Sequence, residues 1–237
     1  MKHLFYCGAI AISILLVSVG CRDLSPVVHL PMDEGSGSVA HDVSGNGHDG
    51  TLSEGQPEWI TGIMGSNGLG LDGIDDYVVI PASDDFCTNE FSVSIWLKSN
   101  PGNNNCAFIR VFESWHMRIW DGKWDMVFEA PYGYDWIFFD SGYTFTEDQW
   151  HNFVIVVNLK EQRRKKKTIT FYVDGIITAE YVVTAPITPK KGDVYLGQFD
   201  ERYRWNGGID DFQYFDFTLE RHEIEQAYYQ AMKKNRQ

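Results

Sequence analysis

GGIDDFQYFDFTLERHEIEQAY, residues 207–228, contains two hydrophobic periods, and the change between them decides the fold class. Apolar and polar residues alternate across 208–217, which is the period of a half-buried strand. Beyond it the apolar residues recur three and four positions apart, at Ile224, Ala227, Tyr228 and Ala231. That spacing is typical of one face of an amphipathic helix. The stretch therefore predicts a last strand followed by a short C-terminal helix.

The same alternation recurs upstream, with β-branched and aromatic residues between Gly, Asn and Asp turns. The clearest cases are FSVSIWLKS (91–99), WHNFVIVVNL (150–159) and TITFYVDG (168–175). Asp174 and Gly175 predict a tight hairpin turn, because Gly readily adopts a positive φ. Roughly a dozen short strands at this spacing predict an all-β sandwich or barrel.

The first 20 residues are set apart from this β pattern. In MKHLFYCGAIAISILLVSVGC (1–21) a lysine precedes a short apolar run that ends in small residues before Cys21. This is the layout of a secretory signal, and the run is too short to be interpreted first as a membrane span. We therefore predict a signal at 1–20, a tether at 21–26 and one exported domain at 27–237.

Acidic residues outnumber basic ones, 33 to 20, which gives a formal charge of −13. Removal of the signal takes away one lysine and no acid, so the balance becomes more negative. Nucleic-acid binding needs clustered Lys and Arg to neutralise phosphates, and the composition therefore argues against a nucleic-acid partner. An acidic surface suits cations instead.

The order of the sequence motifs resembles a known family. HLPMDEGSGSVAHDVSGNGHDGTL (29–52), LDGIDDYVVIP (71–81) and the closing stretch 207–228 follow one another as in laminin-G-like, concanavalin A-like jelly-roll domains. The resemblance runs from about residue 27 to residue 230 and is weaker between 100 and 148. It implies an all-β fold of two antiparallel sheets packed face to face as a jelly-roll sandwich, with the first and last strands adjacent.

A second resemblance concerns an anchor. Ser18-Val19-Gly20-Cys21 resembles a bacterial lipobox, in which the cysteine becomes the acylated first residue of the mature protein. It implies a lipoprotein of the bacterial cell envelope, periplasmic or on the cell surface, that touches the membrane through its lipid alone. An ordinary cleaved signal or a retained anchor is the alternative.

Calcium is the cofactor that the family resemblance implies. Such domains often hold a structural calcium where the first and last strands meet, and glycines let carbonyl groups turn toward the ion. Transferred to this sequence, the side-chain ligands are Asp33 and Asp210, with Glu34 and Asp211 beside them and carbonyls from residues 45–47.

The segment DVSGNG (42–47) allows two further interpretations. It imitates the first half of a helix-loop-helix calcium loop, but the twelfth position is Ser53, where a bidentate Glu is required. The other interpretation is an Asx-type turn closed by the side chains of Asp42 and Asn46.

Two cysteines lie within the predicted domain, Cys87 and Cys106. An exported domain can oxidise such a pair, and the disulfide would join the two ends of a predicted strand and its loop. Buried free thiols are the alternative.

Ligand binding is predicted in the aromatic-rich middle of the chain, because flat rings stack on sugar rings. The candidates are Trp115, Trp124, Tyr132, Tyr134 and Trp136, with Arg118 to bond sugar hydroxyls. The turn residues of PYGYDW (131–136) favour exposure of that loop. Core packing is the alternative for each tryptophan, and we expect it for Trp120 and Phe128.

Three functions remain open, and we favour the first. It is a non-catalytic, lipid-anchored module that binds carbohydrate or another cell-surface ligand. The second is a glycoside hydrolase or lyase, which needs two facing carboxylates. A Glu-x-Asp-x-Glu spacing is absent, and the remaining candidates are Glu113, Asp121, Asp125 and Glu129. The third is an adhesion or structural module, expected if the aromatic residues are all buried.

Overall fold

The computed structural model describes residues 22–63, 67–103, 105–129, 136–160, 163 and 166–234. The signal of residues 1–20, the lipidation residue Cys21, and the candidates Tyr132 and Tyr134 lie outside these ranges. Within the ranges, no helix combines the length and the apolar character that crossing a bilayer requires.

The described residues form strands and one C-terminal α-helix. In chain order these are β1 (Val28–Leu30), β2 (Val39–Ala40), β3 (Gly50–Leu52), β4 (Glu58–Thr61), β5 (Asn67–Asp72), β6 (Val78–Ile80), β7 (Glu90–Ser99), β8 (Asn105–Val111), β9 (Trp115–Trp120), β10 (Lys123–Glu129), β11 (Trp136–Thr144), β12 (Trp150–Asn158), β13 (Thr168–Val173), β14 (Ile176–Val182), β15 (Val194–Leu196), β16 (Asn206–Phe215) and α1 (Arg221–Lys234).

The strands form two eight-stranded sheets. Sheet A has the order β14-β13-β12-β7-β16-β5-β4, with β1 also paired to β16, and sheet B has the order β11-β10-β9-β8-β15-β6-β3-β2. Neighbouring strands are antiparallel throughout. The predicted all-β, two-sheet antiparallel sandwich with a short C-terminal helix is confirmed.

Strand β7 shows how the alternating sequence closes the sandwich. Its apolar positions Phe91, Val93, Ile95 and Leu97 lie in the core between the sheets. Trp96 belongs to a separate cluster on the other side of sheet A. Because successive side chains of a strand point to opposite faces, one strand can supply both layers.

Helix α1 covers the outer face of sheet A. Ile224 packs into a cluster with Val154 and Tyr172, and the ring of Tyr228 stacks on Trp96 with the centroids 5.7 Å apart. The amphipathic period seen in the sequence is therefore explained by this contact, because the apolar side of the helix meets the outward-facing apolar residues of the sheet.

Two predictions about the backbone are confirmed. Asp174 and Gly175 join β13 to β14 with φ angles of 52° and 76°, and positive values at both central positions are typical of the tight type I′ hairpin. Strand β1 pairs with β16, with Val28 opposite Tyr214. The first and last strands are thus adjacent.

The glycine-rich segment after β1 is an Asx-type turn. One carboxylate oxygen of Asp42 accepts hydrogen bonds from the amides of His29 (3.0 Å) and Ser44 (2.9 Å), and the other accepts from the amide of His48 (2.9 Å). The Asn46 amide group donates to the carbonyl that precedes β1, at 2.9 Å. The Asx interpretation is confirmed and the helix-loop-helix interpretation is wrong, since strands flank the segment.

The expected disulfide is wrong, and both thiols are free. Cys106 on β8 is buried in the core. Cys87 follows a short 3-10 helix, Asp84–Phe86, and its thiol donates to the carbonyl of Pro189 at 3.2 Å. Burial raises the pKa of Cys106 to about 12, so its thiol stays protonated and unreactive.

Candidate functional site

A cleft of about 340 Å³ lies on the outer face of sheet B. Its lining comes from β8 and β9, from the first residue of β11, and from the segment 197–205 between β15 and β16. Its lining includes the side chains of His116, Arg118, Trp120, Trp136, Phe199 and Tyr203.

Alternation along β9 assigns its side chains to two faces. Trp115, Met117 and Ile119 lie in the core, whereas His116 and Arg118 line the cleft. At the end of the strand Trp120 is 42% exposed. The expectation that Trp120 is a core residue is therefore wrong, because it lies an odd number of positions from Trp115 and points outward.

Two predicted stacking residues belong to the core instead. Trp115 and Trp124 are both 0% exposed, and the ring of Trp124 meets those of Phe153 and Phe171 edge-on at 4.9 and 5.0 Å. A ring enclosed on all sides offers no face to a ligand, so the predicted ligand-binding role of these two tryptophans is wrong. Phe128 is buried, as expected.

Aromatic rings surround the cleft. Trp136 is 38% exposed and lies 5.7 Å from the ring of Phe199, while Trp120 lies 5.9 Å from Tyr203. These contacts hold each ring on one side and leave part of it open to the cleft. Of the sequence-predicted ligand residues within the described ranges, the structure brings Trp136 and Arg118 together here.

Arg118 is held in one orientation. Its guanidinium donates to both carboxylate oxygens of Asp125, at 2.8 and 3.2 Å, and lies 4.5 Å from the ring centre of Trp120. A two-point bond of this kind fixes the plane of the group. Burial raises the pKa of Asp125, and the bond to Arg118 offsets part of that rise.

His116 is 1% exposed, and its Nδ1 atom has no hydrogen-bond partner among the described residues. Its ring contacts Phe199 and Trp136, with centroids 4.7 and 5.2 Å away. Burial, with help from Arg118 and Arg110, lowers the pKa of His116 to about 3. The imidazole is therefore neutral near pH 7, with one nitrogen that donates and one that accepts.

The carboxylates of the glycosidase alternative lie along the β9–β10 hairpin. Glu113 and Asp121 lie in the turns before and after β9, both with positive φ. Asp125 is bound to Arg118, and Glu129 lies 3.7 Å from Arg110. Asp125 and Glu129 are four positions apart on one strand, about 13 Å, whereas glycosidase pairs are about 5 to 9.5 Å apart.

Calcium was predicted at the edge where the first and last strands meet. There Asp33 and Asp210 both contact residues that flank the loop between β4 and β5. The buried Asp210 accepts from the amide of Ile63 at 2.7 Å, and Asp33 lies 3.4 Å from the amide of Asn67. A Cβ atom at Gly62 would collide with the Asp210 carboxylate, so glycine is needed for this approach. Both carboxylates therefore reach residues that flank this loop, and carboxylate oxygen is a ligand that hard cations prefer.

The two neighbouring acids are directed elsewhere. Asp211 lies 2.7 Å from Nε2 of His29 and also accepts from Gln213. Glu34 accepts from the amide of His41 at 2.7 Å. The carboxylates that meet the loop are therefore Asp33 and Asp210.

Sequence reasoning missed part of the cleft. His116 had a usable signal, because it alternates with core residues of β9 and shares a face with Arg118. Phe199 and Tyr203 had none, because they come from a distant segment whose position over β9 depends on the sheet order. The competing interpretation of Trp120 as core would have been excluded by the same alternation.

The sequence from residue 72 to residue 225 matches the Laminin_G_3 family, described as the concanavalin A-like lectin/glucanases superfamily. A comparison with curated proteins found no significant match.

Solved structures of low sequence identity share the fold. The binding domain of Paraclostridial Mosquitocidal Protein 1 has a TM-score of 0.69 at 15% identity, over 86% of this chain and 52% of that one. The botulinum neurotoxin serotype D binding domain has a TM-score of 0.67 at 17% identity, over 87% and 52%. The chain thus spans about half the length of these toxin domains.

Another solved structure matches over nearly its whole length. Domain 4 of AbnA, a GH43 extracellular arabinanase from Geobacillus stearothermophilus solved in complex with arabinotriose, has a TM-score of 0.64 at 18% identity. The match covers 85% of this chain and 97% of that one.

Proposed function

Because this chain belongs to the concanavalin A-like lectin/glucanases superfamily, we propose that it is a non-catalytic module that binds carbohydrate in the cleft on sheet B. The observation that carries the proposal is the set of partly exposed rings around that cleft, with Trp136 and Trp120 on its rim. A purely structural module was expected only if these aromatic residues were all buried. Trp136 and Trp120 are each exposed by more than a third.

The chemistry of the cleft suits a short sugar chain. Aromatic faces provide apolar contact for the C–H face of a sugar ring. Arg118 supplies fixed donors for hydroxyl groups. Neutral His116 lines the cleft beside it without placing a charge there. The arabinotriose complex of the arabinanase domain supports an oligosaccharide as ligand, because that domain matches this chain over most of both lengths.

The proposal includes export and anchoring. A secretory signal at residues 1–20 and an acylated Cys21 would place the module on a membrane of the cell envelope, held by lipid alone. The extracellular arabinanase neighbour supports an exported domain. The ligand would then be a glycan of the envelope or of its surroundings.

A hydrolase is the competing function, and one further arrangement favours testing it. The hydroxyl of Thr146 lies 2.6 Å from His151, whose other ring nitrogen lies 2.7 Å from Asp174. This is the order of hydroxyl, imidazole and orienting carboxylate in hydrolases that cleave acyl bonds. Asp174 also accepts from the amide of Asn152 at 3.0 Å, so the chain of bonds fastens the β11–β12 loop to the β13–β14 turn.

Trp136→Ala should weaken oligosaccharide binding about tenfold, the loss expected when one stacking face is removed. Arabino-oligosaccharides are the first probe, followed by a glycan array, with affinity measured by calorimetry. Trp120→Ala should act in the same direction. Chromatography of the recovered sugar should show it unshortened.

The matched control is Tyr229→Ala, which removes a ring that is 76% exposed on α1, away from the cleft. It should bind like the wild type. Unchanged binding by both tryptophan variants, or no binding to any glycan on the array, would remove the cleft from consideration. Shortened sugar would replace the proposal with a hydrolase.

A structural calcium at the Asp33 and Asp210 edge is part of the proposal. When bound, it would neutralise the two carboxylates and hold the β4–β5 loop. Calcium at about 100 times its dissociation constant adds about 2.7 kcal/mol to the stability.

We therefore expect calcium to raise the melting temperature of the wild type and chelator to reverse the rise. Asp33→Asn, an exposed position, should lose the part of the difference that this edge contributes. Asp84→Asn is the control, since that carboxylate is exposed and distant in sequence from the edge. A full calcium response in Asp33→Asn would contradict the assignment.

A further inference from the structure

Three carboxylates converge at the turn between β5 and β6. One oxygen each from Asp72, Asp75 and Asp76 lies within 4.8 Å of the other two. We infer that this turn, LDGIDDY, binds a calcium ion at a site separate from the Asp33 and Asp210 edge. The inference does not depend on the carbohydrate cleft.

Asp76 is the buried member of the group, with 5% of its surface exposed. Its Oδ2 atom accepts from the amide of Asp72 at 3.1 Å. Its Oδ1 atom is enclosed and has no hydrogen-bond partner among the described residues. A buried carboxylate oxygen without a partner is costly, and a cation coordinated there removes that cost.

The charge around the turn is uncompensated. Within the described part of the chain, no basic side chain forms an ion pair with any of the three carboxylates. Burial raises the pKa of Asp76, and the neighbouring Asp72 and Asp75 add to the rise. By contrast, the partly buried carboxylate of Asp125 is paired with Arg118. Three like charges at this spacing repel one another unless a cation or a proton intervenes.

Gly55, on the loop after β3, shows that two of the oxygens lie together. A Cβ atom built on it would be 2.6 Å from Asp75 Oδ1 and 2.7 Å from Asp76 Oδ1. The φ of Gly55 is not in the left-handed region, so its backbone would accept alanine. Glycine is therefore needed here because a Cβ atom would overlap the two carboxylate oxygens, and not because of its backbone conformation.

The donor set indicates the kind of ion. One oxygen from each carboxylate lies within 4.8 Å of the other two, so a single ion bonded at about 2.3 to 2.6 Å can reach all three. All three donors are carboxylate oxygens, and hard cations prefer oxygen. Because Asp72 and Asp75 are exposed, water completes the shell. The expected affinity is that of extracellular modules, about 10⁻⁴ to 10⁻³ M.

The test separates this site from the edge site. Asp33→Asn protein is titrated with calcium, and with terbium as a luminescent probe excited through Tyr77, which follows Asp76 in the chain. We expect one ion per chain to remain bound. Adding Asp75→Asn, whose exposed side chain leaves the core untouched, should weaken that binding at least tenfold.

Gly55→Ala in the Asp33→Asn background provides an independent variant, because it keeps every charge and changes only the space at the carboxylates. It should also weaken calcium binding, while Asp84→Asn should not. Circular dichroism checks that each variant is folded. Unchanged binding after Asp75→Asn or Gly55→Ala, or no residual binding in Asp33→Asn alone, would overturn the second site. Loss of carbohydrate binding would not bear on it.

Discussion

Trp124→Ala should lower the free energy of unfolding by about 4 kcal/mol, as expected when a fully buried tryptophan is truncated. Trp124 lies in the core and contacts rings on the facing sheet, Phe153 on β12 and Phe171 on β13. Its removal therefore opens a cavity between the two layers. Denaturant unfolding followed by circular dichroism measures the loss.

Trp120→Ala is the matched control for Trp124→Ala, because it removes the same side chain from the outer face of the same sheet. We expect a loss below about 1 kcal/mol for this partly exposed position. If the alanine variant at Trp124 does not fold, Trp124→Phe should show a smaller loss of about 1 to 2 kcal/mol. Equal stability of Trp124→Ala and Trp120→Ala would contradict the assignment of the two faces.

Asp42→Ala should cost about 3 kcal/mol of folding stability. The carboxylate accepts three backbone amides, from His29, Ser44 and His48, and hydrogen bonds to a charged group contribute about 1.5 to 3 kcal/mol each before partial replacement by water. Without it, the glycine-rich turn loses its closure on β1. Asp84→Ala should change stability by less than about 0.5 kcal/mol.

The same residue predicts a pH dependence. Burial by itself raises the pKa of Asp42, but the hydrogen bonds from His29, His48 and Ser44 outweigh it and lower that pKa below its ordinary value. The contribution is therefore complete above the unfolded pKa, about 3.9, and is lost as the pH falls through the lower folded value. The stability difference between wild type and Asp42→Ala should shrink below about pH 4. A difference independent of pH would contradict this account.

The fold was accessible to sequence reasoning because its signals are local and repeated. The alternation of β7 and β12 and the Asp174-Gly175 turn each act over a few residues, and the ordered motifs identified how the strands connect. The adjacency of β1 and β16 followed from the family resemblance. No local pattern would have predicted that long-range pairing.

The candidate site was harder because it depends on which face each aromatic residue occupies. Trp115 and Trp120 lie on one strand at odd spacing and cannot share a face, yet composition alone treats them as equivalent. Phe199 and Tyr203 reach the cleft through the pairing of β15 with β8, which joins distant parts of the chain. The predicted disulfide failed for a similar reason. The separation of Cys87 and Cys106 in sequence does not reveal that Cys106 faces the core.

Helix α1 and the first described residues lie on the same side of the sandwich, which determines how the protein can be attached to a surface. Leu24 and Ile224 border the same groove on sheet A, whereas the aromatic cleft opens on sheet B, beyond a core about 10 Å thick. Protein immobilised on a sensor chip or bead through the side that carries Leu24 and α1 would therefore display the cleft toward the solution. Random coupling through surface lysines gives no such orientation.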